Sequence, residues 1–152
     1  MKKLLSSWMA CLLLCMLLCS CKATAAVTYS VETGDNIKIV LDTSDGYTLN
    51  EQAPFVVSLS GVTMATGVFL TMDSYKSYLS AIQEGGDSIK ILEEGSRGEN
   101  DYVFYRCEGE TSTEYDFLIQ VKDSQTGILL GCATTQDMAQ ACFEALTFSK
   151  VS

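Results

Sequence analysis

Seven cysteines and no histidine limit the chemistry that this 152-residue chain can perform. Without histidine there is no Ser-His-Asp triad and no Cys-His pair, and the commonest zinc ligand is missing as well. No Cys-x-x-Cys spacing indicates zinc binding or thiol redox chemistry. We therefore assign no catalytic residue, no metal ligand and no cofactor. The cysteines are Cys11, Cys15, Cys19, Cys21, Cys107, Cys132 and Cys142.

The first twenty residues have the pattern of a secretory signal. Lys2 and Lys3 precede twelve uninterrupted apolar residues, from Trp8 to Cys19. A positive flank followed by a short apolar run is typical of a signal peptide. As a helix, twelve residues rise only about 18 Å, well short of the roughly 30 Å hydrocarbon core of a bilayer. Residues 1–20 are therefore predicted to be a signal peptide rather than a permanent membrane span.

The end of this segment, Leu18-Cys19-Ser20-Cys21, resembles the lipobox of bacterial lipoproteins. The resemblance implies that the thiol of Cys21 carries diacylglycerol and that palmitate-like chains anchor the protein to the extracytoplasmic face of the cell membrane. Two or more acyl chains give stable anchoring, whereas one gives only marginal binding. Residues 21–26 are then the lipidated cysteine and a short tether, and residues 27–152 form a single domain.

A second processing route remains open beside the lipobox. Ala23-Thr24-Ala25 has the small-x-small pattern that ordinary signal peptidase cleaves. Cleavage after Ala25 would release a secreted, soluble binding protein instead of an anchored one. The residue at the new amino terminus distinguishes the two routes.

The acidity of the chain belongs to the part that follows the signal. From Lys22 onward there are eight basic and nineteen acidic residues, a net charge of −11. Nucleic-acid binding draws its affinity from clustered Lys and Arg, so nucleic acid is not expected as a partner. Anionic lipid headgroups would repel such a domain, and its contact with the membrane is therefore assigned to the anchor alone.

The remaining pattern predicts an α+β domain. Alternating and β-branched runs separated by glycine turns predict a mostly antiparallel sheet of about seven to nine strands. A first helix is expected after Asp73, and a second is expected after a capping box formed by Thr134 and Asp137. The residues predicted to pack on the sheet are Tyr75, Tyr78, Leu79 and Ile82 from the first helix and Met138, Ala141, Cys142 and Ala145 from the second.

The strand-helix-strand order at the end of the chain resembles that of PsbP-like domains. It runs from Gly127-Ile128-Leu129-Leu130, through the second helix, to Leu146-Thr147-Phe148-Ser149. The resemblance is topological and covers about Val27 to Ser152. It implies an antiparallel sheet sandwiched with helices, and a non-enzymatic accessory or binding role. It transfers no site residue.

Three tyrosines on adjacent predicted strands, Tyr102, Tyr105 and Tyr115, are candidates for a shallow ligand-binding face. Cys107, Cys132 and Cys142 are interpreted as small core residues, with Cys132 and Cys142 the pair able to approach if one disulfide forms. Glu93, Glu94, Glu99 and Asp101 are interpreted as a solvated loop, and Arg97 and Arg106 as partners in surface ion pairs. A carboxylate-dependent hydrolase is a further alternative, although no acidic pair stands out. The sequence thus predicts a lipid-anchored binding protein whose small-molecule or protein partner is not identified.

Overall fold

A computed structural model describes residues 23–152, so the predicted signal over 1–20 and Cys21 lie outside the described residues. This part of the chain is α+β, with ten strands and two helices. In chain order the elements are β1 (Thr24–Ser30), β2 (Asn36–Asp42), β3 (Tyr47–Leu49), β4 (Phe55–Leu59), β5 (Val62–Thr71), α1 (Met72–Glu84), β6 (Ile89–Arg97), β7 (Asn100–Glu108), β8 (Thr113–Gln120), β9 (Thr126–Gly131), α2 (Gln136–Glu144) and β10 (Leu146–Val151).

The strands form two antiparallel sheets. The smaller sheet has the order β1-β2-β10, and the larger has the order β3-β4-β5-β9-β8-β7-β6. One core lies between the two sheets and includes the buried side of α2. A second, smaller core lies on the opposite face of the larger sheet, under α1. The molecule therefore has three layers, with the larger sheet in the middle.

The predicted fold class and the two helices are confirmed, but the strands are divided differently. We expected one sheet of seven to nine strands, whereas the described residues form ten strands in sheets of three and seven. The second sheet arises because α2 carries the chain from β9 across to β10, which pairs with β2. The three-residue strand β3 is too short for its alternation to be recognised. Strand β1 begins at Thr24, inside the predicted tether.

Both helices begin at a threonine cap. The hydroxyl of Thr71 accepts a hydrogen bond from the backbone N–H of Ser74, and that of Thr135 accepts one from Met138. Each cap satisfies one of the free N–H groups of the first helical turn. The predicted cap Thr134 is thus wrong by one residue.

The buried stripes of both helices also differ from the predicted ones. On α2 the buried residues are Ala139, Cys142 and Phe143, while Met138 is 40% exposed. On α1, Tyr75 and Ile82 are buried as expected, but Tyr78 is 43% exposed. The prediction that Tyr78 is a core anchor is therefore wrong.

A stack of aromatic rings joins the larger sheet to α2. Phe104 on β7 and Phe117 on β8 are stacked with centroids 4.3 Å apart, and Phe117 stacks on Phe143 of α2 at 4.1 Å. All three rings are buried. Large rings contribute most of the apolar area of a core, and stacked pairs add specific geometry. The stack therefore fixes α2 against the larger sheet.

A buried carboxylate ties the two sheets together at one end. Asp35, in the β1–β2 turn, accepts hydrogen bonds from the backbone N–H of Gln125 at 2.7 Å and from the hydroxyl of Thr126 at 3.0 Å. Its other oxygen lies 2.8 Å from the ammonium of Lys150 on β10. The hydrogen bond from Lys150 is the main cause that holds the pKa of Asp35 below its ordinary value. The carboxylate of Asp35 therefore connects the β1–β2 turn of the smaller sheet to the β8–β9 turn of the larger sheet.

Close packing of α1 depends on a glycine in the strand beneath it. A Cβ on Gly127 would lie 2.7 Å from Cδ2 and 2.9 Å from Cβ of Tyr75. These distances are too short for non-bonded carbons, so only glycine lets α1 sit at this depth. Gly131 lies four residues further along the same strand, on the same face, and a Cβ there would lie 3.7 Å from Oδ1 of Asp116, an ordinary contact.

We expect Gly127→Ala to lower the free energy of unfolding by about 1–3 kcal/mol, because the added methyl forces α1 away from the sheet. Gly131→Ala is the matched control on β9 and should change it by less than about 0.5 kcal/mol. Urea unfolding of both variants measures the difference. Equal stability of the two variants would contradict the close contact with Tyr75.

We expect Asp35→Asn to destabilise the fold at pH 7 by about 1–3 kcal/mol, because it removes the charged acceptor that the buried hydroxyl of Thr126 and the ammonium of Lys150 share. Since the pKa of Asp35 is lowered by folding, its contribution is present above the unfolded value of 3.8 and is lost as the pH falls through the folded value. The free energies of unfolding of the variant and the wild type should therefore become equal at acidic pH. Glu32→Gln, an exposed change in the same turn, is the control for charge alone.

Candidate binding groove

A groove of about 610 Å³ runs along β10 and is closed on its other side by the β6–β7 and β8–β9 turns. We call it the β10 groove. Clefts of this size with apolar walls and a few converging polar groups are the usual form of ligand sites. Its apolar wall consists of Ile119, Phe143, Leu146 and Phe148, and its polar residues include Arg97, Glu99, Asn100, Lys122, Asp123, Ser149 and Lys150.

The side chain of Asn100 connects the walls of the β10 groove. This residue is buried, and its amide nitrogen donates to the carbonyl of Phe148 at 2.8 Å. Its amide oxygen accepts from the backbone N–H of Lys122 at 2.9 Å. The start of β7, the end of β8 and the edge strand β10 are therefore held at a fixed separation. The groove is part of the packed structure rather than a gap between mobile turns.

Arg97 closes the groove at the end of α2. Its guanidinium donates to the carbonyl of Phe143 at 2.5 Å and to that of Glu144, and it lies over the ring of Phe143 at 5.4 Å. The last turn of α2 contains no basic residue, so its free carbonyls and negative dipole end need a donor from elsewhere. Arg97 supplies it from β6. The predicted surface ion pair is replaced by this cap, whereas Arg106 does pair with Glu108 at 2.7 Å.

The charge of the groove differs from that of the rest of the domain. Arg97, Lys122 and Lys150 line it together with two carboxylates, Glu99 and Asp123. Over residues 23–152 there are seven basic and nineteen acidic residues. Arg97 caps α2 and Lys150 pairs with Asp35, whereas the exposed side chain of Lys122 has no ion pair within residues 23–152. The groove thus carries charges of both signs and is less acidic than the rest of the domain.

Sequence reasoning did not find this site. Asn100 and Lys122 lie in turns and at strand ends, where the pattern predicts only solvated polar residues. No local signal marks Asn100, because its partners Lys122 and Phe148 lie 22 and 48 residues further along the chain. That β10 lies opposite depends on the crossing of α2, which no local pattern contains.

The three candidate tyrosines are divided between the two faces of the larger sheet. Tyr102 and Tyr115 are half-buried on the side that faces α2, where Tyr102 packs 5.0 Å from Phe143. Tyr105 is buried on the opposite face, in the core under α1. Side chains three positions apart on one strand point to opposite faces. The structure therefore does not bring all three together, and a ligand role for any of them stays a prediction.

Tyr105 contributes to a buried polar cluster with Asp116. The carboxylate of Asp116 accepts a hydrogen bond from the backbone N–H of Cys132 at 3.1 Å, and the hydroxyl of Tyr105 interacts with it. Burial is the main cause that raises the pKa of Asp116 to about 6, and Glu114 raises it further. Burial is also the main cause that raises the pKa of Tyr105. This pair lies away from the β10 groove.

The three cysteines of the described residues are free thiols. Cys132 and Cys142 are fully buried, as expected for small core residues, and Cys107 is half-buried beside the α1 core. Burial raises the pKa of Cys142 to about 11 and raises that of Cys132 as well. A protonated thiol is a poor nucleophile, so the two core cysteines are interpreted as packing groups.

The acidic residues that were expected to form one loop lie mainly in strands. Glu93 and Glu94 are on β6, and Asp101 is on β7, with Glu99 alone in the turn. Glu93 accepts from the hydroxyl of Tyr102 at 2.6 Å, and Asp101 accepts from Ser96 at 2.6 Å. Within residues 23–152, no three Cys, Asp or Glu side chains converge as metal ligands.

A second cavity of about 460 Å³ lies at the end of β1. Its walls come from residues 30–33, 53–54 and 68–71, with Glu32 as the charged member. It has no cluster of basic side chains and no buried polar residue that converges on it. The β10 groove is therefore the stronger candidate for a binding site.

Over residues 23–152, neither helix has both the length and the apolar composition that crossing a bilayer requires. No protein family, curated protein or solved structure gives a match to the chain. The functional argument therefore depends on the residues themselves.

We expect Asp116→Asn to stabilise the fold at pH 8 by about 1–2 kcal/mol, a range that allows for screening by solvent at the edge of the cluster. Because folding raises the pKa of Asp116 to about 6, the neutral carboxyl stabilises the fold below the unfolded value of 3.8, and this contribution is lost as the pH rises through about 6. The extra stability of Asp116→Asn relative to the wild type should therefore disappear near pH 4.

Urea unfolding at several pH values measures this effect. Glu110→Gln is the control, because it removes the same charge from an exposed turn. If the stability of Asp116→Asn and of the wild type changed in parallel between pH 4 and pH 8, the buried carboxylate would not be the cause.

Proposed function

We propose that this protein is a lipid-anchored, extracytoplasmic binding or accessory protein without enzymatic activity. The observation that supports a lipid anchor on Cys21 is the position of β1, which begins at Thr24, three residues further along the chain. A lipid on Cys21 would hold the folded domain within about 10 Å of the bilayer surface. No long linker is needed to explain how the domain and the membrane are connected.

The pairing of β1 favours the lipobox over the alternative cleavage site. Thr24 and Ala25 pair with Asp42 and Leu41 of β2, and the carbonyl of Ala23 accepts from the backbone N–H of Thr43 at 2.8 Å. Cleavage after Ala25 would remove these residues from a finished sheet. Cleavage before Cys21 would leave the whole strand intact. The fold is therefore better matched to the lipoprotein route.

The binding role is supported by the β10 groove. It combines an apolar wall, a buried amide and charged side chains of both signs, which are the elements that fix and orient a ligand. Its two carboxylates, Glu99 and Asp123, are both exposed. A carboxylate-dependent hydrolase needs an acid in an apolar setting opposite a second carboxylate. This difference favours binding over hydrolysis.

We also propose that the domain is a PsbP-like sandwich. The strand-helix-strand order of β9, α2 and β10 and the antiparallel sheets are compatible with that resemblance. The separate three-stranded sheet goes beyond the single-sheet arrangement that the resemblance implies. Fold resemblance of this kind supports an architecture and does not identify a ligand.

We expect Cys21→Ser to move the protein from the membrane fraction to the soluble or precursor fraction, because the thioether that carries the lipid cannot form. Cys19→Ser is the matched control two residues away and should stay membrane-bound. Intact-mass analysis of the wild type should show a mature terminus at Cys21 with attached acyl chains. A high-salt wash should leave the wild type on the membrane.

Unchanged membrane partitioning of Cys21→Ser would overturn the anchor. A mature terminus at Ala26 without lipid would establish the secreted alternative instead. Neither result depends on whether the β10 groove binds a ligand.

A further inference from the structure

A buried carboxylate on the α1 face of the larger sheet has no cation to balance it. Asp116 is only 8% exposed, and its Oδ1 accepts a hydrogen bond from the backbone N–H of Cys132 at 3.1 Å. The hydroxyl of Tyr105 supplies a second donor. No lysine or arginine of residues 23–152 forms an ion pair with Asp116. The ionised carboxylate therefore has two donors in place of the water that surrounds it in the unfolded chain.

Tyr105 connects Asp116 to α1. The two residues face each other directly on β7 and β8, and the side chain of Tyr105 is buried in the core between α1 and the larger sheet. Helix α1 packs across β5, β6, β8 and β9, and the hydroxyl of its Tyr78 lies within electrostatic reach of Tyr105. Movement of α1 away from the sheet would therefore return water to Tyr105 and to the carboxylate beside it.

The titratable groups around Asp116 lie on the strands beside it and on α1. They are Tyr105 and Cys107 on β7, Glu114 on β8, Cys132 after β9 and Tyr78 on α1. None of these side chains carries a positive charge at any pH. Burial is the main cause that raises the pKa of Asp116 to about 6, and the hydrogen bonds from Cys132 and Tyr105 oppose it only in part. The closed structure therefore favours the neutral carboxyl.

The attachment of α1 permits such a movement. The helix is followed by Gly85 and Gly86, which have φ values of 65° and 118°. Glycines at the end of an element absorb backbone rotation at low cost. The last turn of α1 contains no basic residue, and its cap is the backbone N–H of Gly85, which donates to Ala81. The end of α2, in contrast, is held by Arg97 from β6. Of the two helices, α1 is therefore the one that opens more easily.

We propose that Asp116 is a pH-sensitive switch for α1, in which loss of the carboxyl proton to solvent favours a state with α1 moved away from the larger sheet. Deprotonation and opening are linked, because the open state hydrates the carboxylate. The apolar core under α1 is thus exposed more often at neutral pH than in acid. This inference goes beyond the proposed binding function and depends neither on the lipid anchor nor on the β10 groove.

The pH range of the switch follows from the two states of Asp116. Its pKa is about 6 in the closed state and would return toward the ordinary value of 3.8 when α1 opens. Because closing raises the pKa, the stabilising contribution of the neutral carboxyl is complete below 3.8 and is lost as the pH rises through about 6. The equilibrium constant for opening should therefore increase between these two values and stay constant above them.

Amide exchange of the full, natively processed protein in detergent measures this equilibrium, after correction for the intrinsic pH dependence of exchange. We expect the amides of residues 76–84 in α1 to open at least about tenfold more often at pH 7 than at pH 4.5, relative to the amides of residues 37–41 in β2. Asp116→Asn should remove this difference, because a side-chain amide does not titrate. Glu110→Gln, which removes the same charge from an exposed turn, should retain it.

Tyr105→Phe is a second variant, which tests the switch even if Asp116→Asn does not fold. It removes one of the two donors to the ionised carboxylate, so the pH above which opening stays constant should move upward. Parallel changes of the α1 and β2 amides with pH in the wild type would overturn the inference. So would the same pH dependence of α1 in Asp116→Asn and the wild type, or an unchanged profile in Tyr105→Phe.

Discussion

The packing of Phe143 against Phe117 and Arg97 is the interaction on which the rest of the structure depends. Phe117 stacks on the ring of Phe143, and the guanidinium of Arg97 lies over the same ring while it caps the end of α2. This contact fixes where α2 ends, and β10 begins only two residues after its last residue. The second sheet is completed by β10, so its position relative to the larger sheet follows from one buried ring. The groove beside β10 is the space that remains between these fixed parts.

Two buried carboxylates in this acidic domain have opposite roles because their surroundings differ. Asp35 has a lysine, a hydroxyl and a backbone N–H around it, so the charged form is favoured and its pKa is lowered. Asp116 has one backbone donor and a tyrosine hydroxyl, which do not offset the loss of water, and its pKa is raised to about 6. The first joins the two sheets, whereas the second makes the fold less stable above neutral pH. Burial alone does not decide whether the pKa of a carboxyl group rises or falls. The direction depends also on how many hydrogen-bond donors surround the group and on whether a cation lies within reach.

The sequence predicted the elements better than their arrangement. Period-two alternation identified most strands, and the glycines at 85 and 86 correctly ended α1, since local backbone chemistry controls both. The cap of α2 was missed by one residue because Thr134 and Thr135 are both suitable caps, and only packing of Phe143 selects the second. The tyrosine face failed to assemble because Tyr102 and Tyr105 have opposite parity on β7. The groove could not be predicted, since Asn100 and Phe148 are 48 residues apart and meet only through the crossing of α2.

The directions of β1 and β10 determine where the β10 groove lies relative to the proposed lipid on Cys21. The first strand starts next to the proposed lipid at Cys21, and β10 runs parallel to it on the other side of β2. Lys150 is therefore carried toward the end of the sheet that is remote from the anchor, whereas Arg97, at the last turn of α2, lies at the end where β10 begins. At physiological ionic strength, charges more than about 8 Å apart in solvent are largely screened from one another. A ligand bound near Lys150 would therefore be largely screened from the charge of the surface to which the domain is attached, and its affinity would depend on the groove's own side chains.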